Sequence, residues 1–498
     1  MIPGRFGRRW SRTPRVTARW SKTIRQAESA LSRKVILYFR GYNGRVMQSI
    51  NPATGKVERT FPTLSEAELQ DRIERAHQAF LRFRKTSFGQ RKQWLTNAAA
   101  VLEKEADRCA RTVTLEMGKP IKAAKGEILK CATAFRYYAE RGEALLEPEE
   151  IDTGVKSSGI RYYPLGPVLA IMPWNFPFWQ TVRFAAPALA AGNVALLKHA
   201  PSVPQCALLL EELFRDAGFP ADVFQTLLTD TDQAGKVIAD FRVKAVTLTG
   251  SERAGSQVAS QAGEHLKRVV LELGGSDPFI VMPSADLGAA VRTAVEARLI
   301  NCGQSCIAAK RFIVHESSAD EFERLFVELM RSFKVGDPTD ENTQMGPLAA
   351  KHILDNLERQ VRETVRMGAR VLTGGNRLAG PGFYFEPTVL ADVPLDSPAY
   401  REELFGPVAV LFRVKDFDAA IELANDTTFG LGASIWTTDP AEQSRFIDEI
   451  ESGMAFVNAL VASDPRLPFG GIKNSGFGRE LGVYGMREFV NAKTFVVK

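Results

Sequence analysis

The stretch from Val168 to Leu273 constrains the fold more than any other part of the chain. Short apolar runs of strand character alternate there with stretches of helical periodicity. Strands are expected over Val168–Met172, Asn193–Lys198, Val243–Leu248 and Lys267–Leu273, and helices over Gln180–Ala191, Pro204–Ala217 and Ala254–His265. Such alternation requires a parallel sheet covered by helices, with a ligand crevice outside the carboxyl ends of its strands. A second α/β unit starts at Phe279–Val281 and Leu287–Ile300 and is expected to end near Val457. Upstream, Leu69–Phe83, Trp94–Leu115 and Ile121–Tyr138 carry apolar residues at three- and four-residue spacing, the pattern of packing helices. A chain of 498 residues is too long for one core, so two or three domains are expected.

Four stretches carry chemistry. Asn301-Cys302-Gly303-Gln304-Ser305-Cys306 lies between a helical run and the strand-like Arg311–His315, where a thiol can be held at a cleft. Cys attacks as its thiolate, and a modest drop in pKa is expected to supply one. Glu272 ends an apolar strand just before Gly274-Gly275; a desolvated carboxylate there can wait uncharged or act as a base. Asn175 follows the strand Val168–Met172 in Pro173-Trp174-Asn175-Phe176-Pro177, and its amide is a neutral donor suited to an oxyanion hole. Thr249-Gly250-Ser251-Glu252-Arg253-Ala254-Gly255 opens a helix whose free N–H groups suit a pyrophosphate. The bland readings of the first three are a buried cysteine, a strand-end carboxylate and an Asx turn.

Cys306 and Glu272, thirty-four residues apart, resemble the Gly-Gln-x-Cys nucleophile and Glu-Leu-Gly-Gly base motifs of the aldehyde dehydrogenase superfamily, most like bacterial NAD(P)-dependent succinate-semialdehyde dehydrogenases. The resemblance runs from about Ile50 to the C-terminus. It implies an α/β fold: a Rossmann-type cofactor domain over residues 47–143 and 165–273, a catalytic domain over 274–457, and a small β oligomerisation arm from 144–164 and 480–498. Residues 458–479 form a substrate-side loop. It further implies catalytic roles for Cys306, Glu272 and Asn175. NADP or NAD contacts are implied at Trp174, Lys198, Ser202, Thr249, Gly250, Ser251, Gly255, Leu273, Glu403 and Phe405. NAD-preferring members place a Glu three residues after the Lys198 position; Pro201 stands there, so nothing is expected to repel a 2′-phosphate. The loop Leu228–Gln233 also departs from the family's usual glycine-rich sequence.

For the substrate, Arg183 lies eight residues after Asn175, where the resemblance implies a carboxylate-binding arginine. Ser463, Arg466 and Arg298 are the other candidates. The family's second arginine falls on Ile300, and Arg298 is displaced from it by two residues. A dehydrogenase of neutral aliphatic or aromatic aldehydes, a non-catalytic recruit of the fold and a cofactor-free esterase are the rival readings. Cys302 reads either as a redox partner of Cys306 or as a buried bystander.

Composition limits partners and compartment. Residues 1–46 hold twelve basic groups against one acid, Glu28, so this segment carries +11; with an overall +6, the remainder carries −5. The body is mildly acidic, without a nucleic-acid footprint. The leader reads as a mitochondrial transit peptide or as an upstream extension before Met47, and the second implies a cytoplasmic enzyme. Five unpatterned cysteines argue for a reducing compartment, and five histidines show no metal-ligand spacing. Thr494–Lys498 is expected to be a short strand pairing with another subunit of a homodimer or homotetramer.

Overall fold

The computed structural model describes residues 46–498; the leader expected over 1–46 lies outside them except for its last residue. Five parallel strands form the first sheet, in the spatial order Arg268–Glu272, Ala245–Thr249, Pro167–Met172, Val194–His199 and Phe224–Thr226. Pro167–Met172 is first in sequence yet central in space. The chain moves outward to one side through two strands, then returns to fill the other. That reversal places a switch point between Pro167–Met172 and Ala245–Thr249, whose carboxyl ends lead directly into Trp174-Asn175 and Gly250-Ser251. Gly476–Phe477 adds antiparallel to the Glu272 edge.

The second sheet has seven strands, ordered Arg370–Thr373, Thr388–Ala391, Val408–Val414, Arg311–His315, Pro278–Val281, Gly432–Trp436 and Met454–Val457. All neighbours are parallel except the first pair. Helix Leu287–Leu299 and strand Arg311–His315 bracket the Cys306 loop.

Element boundaries differ from expectation at a few places. The helical run Trp94–Leu115 is two helices, Phe88–Lys104 and Ala106–Met117, broken at Glu105 without a proline or glycine to announce it. Strand Phe224–Thr226 and helix Thr231–Ala239 were not expected. Three residues show no alternation, and the Asp230/Gln233 capping box that starts the helix reads as loop chemistry. The C-terminal strand is longer than expected, Val490–Val497, and pairs within its own chain. It runs antiparallel to Ser157–Pro164 over eight residue pairs and forms one edge of that three-stranded sheet.

One buried ion pair fastens the helical layer to the site. Glu127, in helix Ile121–Leu145, accepts hydrogen bonds from the Phe178 and Trp179 N–H groups at 2.9 and 3.0 Å. Its other oxygen pairs with buried Lys119. The carboxylate thereby caps helix Pro177–Ala190, whose first turn follows Asn175 and whose second carries Arg183. Removing one partner of a buried pair leaves an uncompensated charge. Glu127→Ala is therefore expected to lower unfolding free energy by about 3–5 kcal/mol in urea titrations, with Glu127→Gln losing less; a loss below about 1 kcal/mol in the alanine variant would refute the clamp.

Candidate active site

The Cys306 loop begins with three consecutive left-handed residues, Asn301 (φ 53°), Cys302 (φ 58°) and Gly303 (φ 75°). Each non-glycine residue there costs about 1–2 kcal/mol, so surrounding contacts must hold the conformation. Asn301 Nδ2 donates to the Asn175 carbonyl at 2.8 Å and the Gln304 carbonyl at 3.0 Å. Gly303 passes so close to Gly406 that a Cβ would lie 2.2 Å from its carbonyl oxygen. Two buried cations complete the clamp. Arg298 donates to the Gly303 and Ala309 carbonyls at 2.6 and 2.9 Å, and Lys310 Nζ donates to those of Ser305 and Cys306 at 2.9 and 2.8 Å.

Arg298 consequently does not line the substrate cavity: its two terminal nitrogens donate to the loop backbone. Cys302 is buried in the catalytic-side core and accepts from the Gly346 N–H at 3.2 Å, whereas Cys306 packs against the core of the other unit. Burial pushes the Cys306 thiol up to about 12, outweighing the pull of Arg183 and Lys310. The expected lowering of its pKa is thus reversed in the ligand-free protein. Glu272 is also buried, and its Oε1 has no hydrogen-bond partner. Burial first, then the neighbouring Glu480 carboxylate, hold it well above the usual carboxylate range, against Arg183 and Arg479. Gly470 crosses this carboxyl where a Cβ would stand 2.5 Å from Oε1. Asn175 Nδ2 donates to the Gln304 carbonyl at 3.2 Å, leaving its second hydrogen available, and Oδ1 is buried without a partner.

Two cavities meet at the thiol. One of about 270 Å³ is walled by Phe176, Trp179, Leu460 and Phe469, with Arg183, Lys130, Ser463 and the Lys119–Glu127 pair among its polar members. The other, about 250 Å³, is bounded by Trp174, Asn175, Thr249, Gly250, Ser251, Leu273, Glu403 and Phe405. Cys306 is the residue common to both. A third, about 670 Å³, lies along Lys198, Gly235 and helix Glu252–Glu264.

These cavities suit a dinucleotide. Thr249 Oγ1 is buried without a partner at the strand end, and half-buried Lys198 faces the third cavity. Glu403 Oε1 accepts from the Gly275 N–H at 3.1 Å and lies 3.3 Å from Lys310 Nζ, so one lysine joins it to the Cys306 loop. Trp174 and Phe405 meet edge to face at 5.7 Å. Other expected contacts fall elsewhere. Gly255 packs against Leu273, where a Cβ would stand 2.6 Å from a methyl group, so the residue sets helix-to-strand spacing. Ser202 is half-buried and lies off the walls of all three cavities. On the substrate side, Ser463 lines the first cavity, whereas Arg466 is exposed and binds Asp464 through Nε and Nη2. Arg183 does line that cavity, but it pairs with buried Glu480 and stacks on Phe469 at 4.2 Å.

Comparison with known proteins matches residues 39–495 to the Aldehyde dehydrogenase family. The chain belongs to the aldehyde dehydrogenase family. It is 56% identical over 450 residues to a Mycobacterium avium succinate-semialdehyde dehydrogenase named for NADP(+), covering 90% of this chain and 95% of that one. A probable NADP(+) succinate-semialdehyde dehydrogenase of Synechocystis is 53% identical, covering 90% and 98%. The crystal structure of succinic semialdehyde dehydrogenase from Streptococcus pyogenes in complex with NADP+ superposes with a TM-score of 0.89 at 38% identity, covering 91% and 99%.

Sequence reasoning missed Lys310, Glu480 and Asn301. Lys310 alone left a trace, a charge set immediately before the buried strand Arg311–His315; Glu480 reaches Arg183 from a distant loop. For this family member two outcomes follow. Alkylation of Cys306 by iodoacetamide in the ligand-free protein should be about a thousandfold slower at pH 7 than that of a free thiol and rise steadily through pH 9; a plateau near pH 7–8 would refute the elevated pKa. Arg298→Met should lower turnover of charged and uncharged aldehydes by one common factor and reduce thermal stability. A loss confined to the charged aldehyde would return Arg298 to the substrate site.

Proposed function

We propose that this chain oxidises succinate semialdehyde to succinate, with NADP or NAD as hydride acceptor. The observation that carries the reading is the single thiol shared by an aldehyde-sized cavity and a cofactor-lined one. When bound, the nicotinamide takes up the hydride. Trp174, Thr249, Gly250, Ser251 and Leu273 would hold the cofactor's near half, with Glu403 and Phe405 toward the ribose and ring. Lys198 serves the adenosine side. The absence of a carboxylate at Pro201 supports acceptance of NADP, as do the names of the relatives.

Cys306, once deprotonated, adds to the aldehyde carbon. The Asn175 amide and the Cys306 N–H, which has no acceptor among the described residues, donate to the developing alkoxide. Loss of hydride leaves a thioester on sulfur. Glu272 then takes a proton from the water that hydrolyses it. Its elevated pKa means that its proton must first leave, a step favoured as pH rises.

Cavity-facing Arg183 supports a carboxylate-bearing substrate. Its pairing with Glu480 favours the second reading, a neutral aldehyde held by the apolar wall. We further assign residues 47–143 and 165–273 to cofactor binding, 274–457 to catalysis and 458–479 to the substrate side. In this assignment the sheet of Ser157–Pro164 and Val490–Val497 is the arm of a homodimer or homotetramer. Free cysteines throughout the described residues support a cytoplasmic, reducing setting. No helix of the described residues is long and apolar enough to cross a membrane.

The deciding measurement is reduction of NADP and NAD with succinate semialdehyde, butanal and benzaldehyde. Cys306→Ala should be inactive, and Glu272→Gln should give one turnover's burst and then stall. Succinate semialdehyde should be preferred; preference for the uncharged aldehydes would establish the second reading, and turnover by Cys306→Ala would overturn the mechanism.

A further inference from the structure

Besides Arg183 and Lys119, which pair with Glu480 and Glu127, the substrate cavity is lined by a third basic residue that sequence reasoning did not single out. Lys130 rises from helix Ile121–Leu145 and lines the cavity with Cys306 and Arg183. Its Nζ donates to Ser463 Oγ at 2.7 Å and sits 4.5 Å from the centroid of the Trp179 ring. Both partners are neutral.

The neighbouring carboxylates are engaged elsewhere. Glu127, on the same helix, pairs with Lys119 and accepts two backbone N–H groups. Asp464, next to Ser463, is held by Arg466 through its side chain and backbone. Glu480 pairs with Arg183. No carboxylate within salt-bridge distance of Lys130 occurs among the described residues. Arg183 is close enough to repel it, and a half-buried ammonium facing an apolar cavity under that repulsion is a site for an anion.

Ser463 completes the pattern. Because its oxygen accepts from Lys130, its O–H proton remains free to donate, so an ammonium and a hydroxyl offer two donors to one carboxylate. Ile300, where the resemblance pointed to a second arginine, gives the cavity an apolar wall.

We propose that Lys130, with Ser463, forms the seat for the substrate's carboxylate and selects short aldehydes that carry a terminal carboxylate over neutral ones. This rests on the reading that such an aldehyde is the substrate. Arg183 then contributes field, and its buried Nη2, which has no hydrogen-bond partner, is a further donor toward the same group.

The lysine's protonation makes the seat testable. Burial and then Arg183 bring Lys130 down to about 8, opposed by Cys131, Asp464 and Glu127. The ammonium is complete below that pH and is lost as pH rises through it. Dividing kcat/KM for succinate semialdehyde by that for butanal cancels the titrations of Cys306 and Glu272, which serve both substrates.

In the wild-type enzyme with NADP this ratio should fall as pH rises from about 7 to about 9. Lys130→Met should lower the ratio about fiftyfold at pH 7, as loss of a charge-assisted hydrogen bond requires. Lys130→Arg should retain most of the preference and hold it flat with pH. If the wild type favours succinate semialdehyde but Lys130→Met keeps that preference, the seat lies at Arg183 and this inference fails alone. If the wild type favours butanal, the substrate reading fails and takes the inference with it. Should Lys130→Met not fold, the wild-type ratio decides: a pH-independent ratio overturns the proposal.

Discussion

The left-handed run Asn301-Cys302-Gly303 is the constraint on which the site depends. Two of its residues carry side chains that disfavour this backbone, and the turn persists because buried groups leave it no alternative. Arg298 and Lys310 are cations taken fully out of water, and Arg298 Nη1 and Nη2 and Lys310 Nζ donate to carbonyls of the loop they hold, while Arg298 Nε has no partner. Their charge faces buried Asp277 and half-buried Glu403. Burial lifts Asp277 to about 7 against the pull of Lys310. Replacing any one of the four leaves the others uncompensated, a reason for the site to behave as one unit.

The same burial that shapes the loop keeps its chemistry quiet. Cys306 rests as a thiol and Glu272 as a neutral acid, because neither ion is solvated in the ligand-free protein. A thiolate exposed to water would be open to oxidation and stray alkylation. The cations beside the sulfur, Arg183 and Lys310, pull the other way, toward its ionised form.

Helix Pro177–Ala190 links the two halves of the site. Its start is capped by Glu127, Asn175 stands just before it, and Arg183 projects from its second turn toward Glu480. The cap and the cavity wall share one helix, Ile121–Leu145, which carries both Glu127 and Lys130. A shift of that helix would therefore move Asn175 and the cavity wall together.

Strand and helix periodicity between Val168 and Leu273 was enough to determine a parallel sheet and the crevice at its carboxyl ends, because a buried parallel strand has few other ways to satisfy its backbone. Cys306, Glu272 and Asn175 were legible as loop or strand-end residues bordering that crevice. Residues of charge and roughly correct position, Arg298 and Arg466, were legible only as candidates: one turns inward to carbonyls, the other outward to Asp464. Sequence spacing fixes neither a side chain's direction nor what lies opposite it. Protonation, too, was decided by tertiary structure, since desolvation depends on every element packed around a group. The pattern of the chain determined where chemistry could occur; packing from distant segments, Glu480 behind Arg183 and Ser463 against Lys130, determined which charges remain available to perform it.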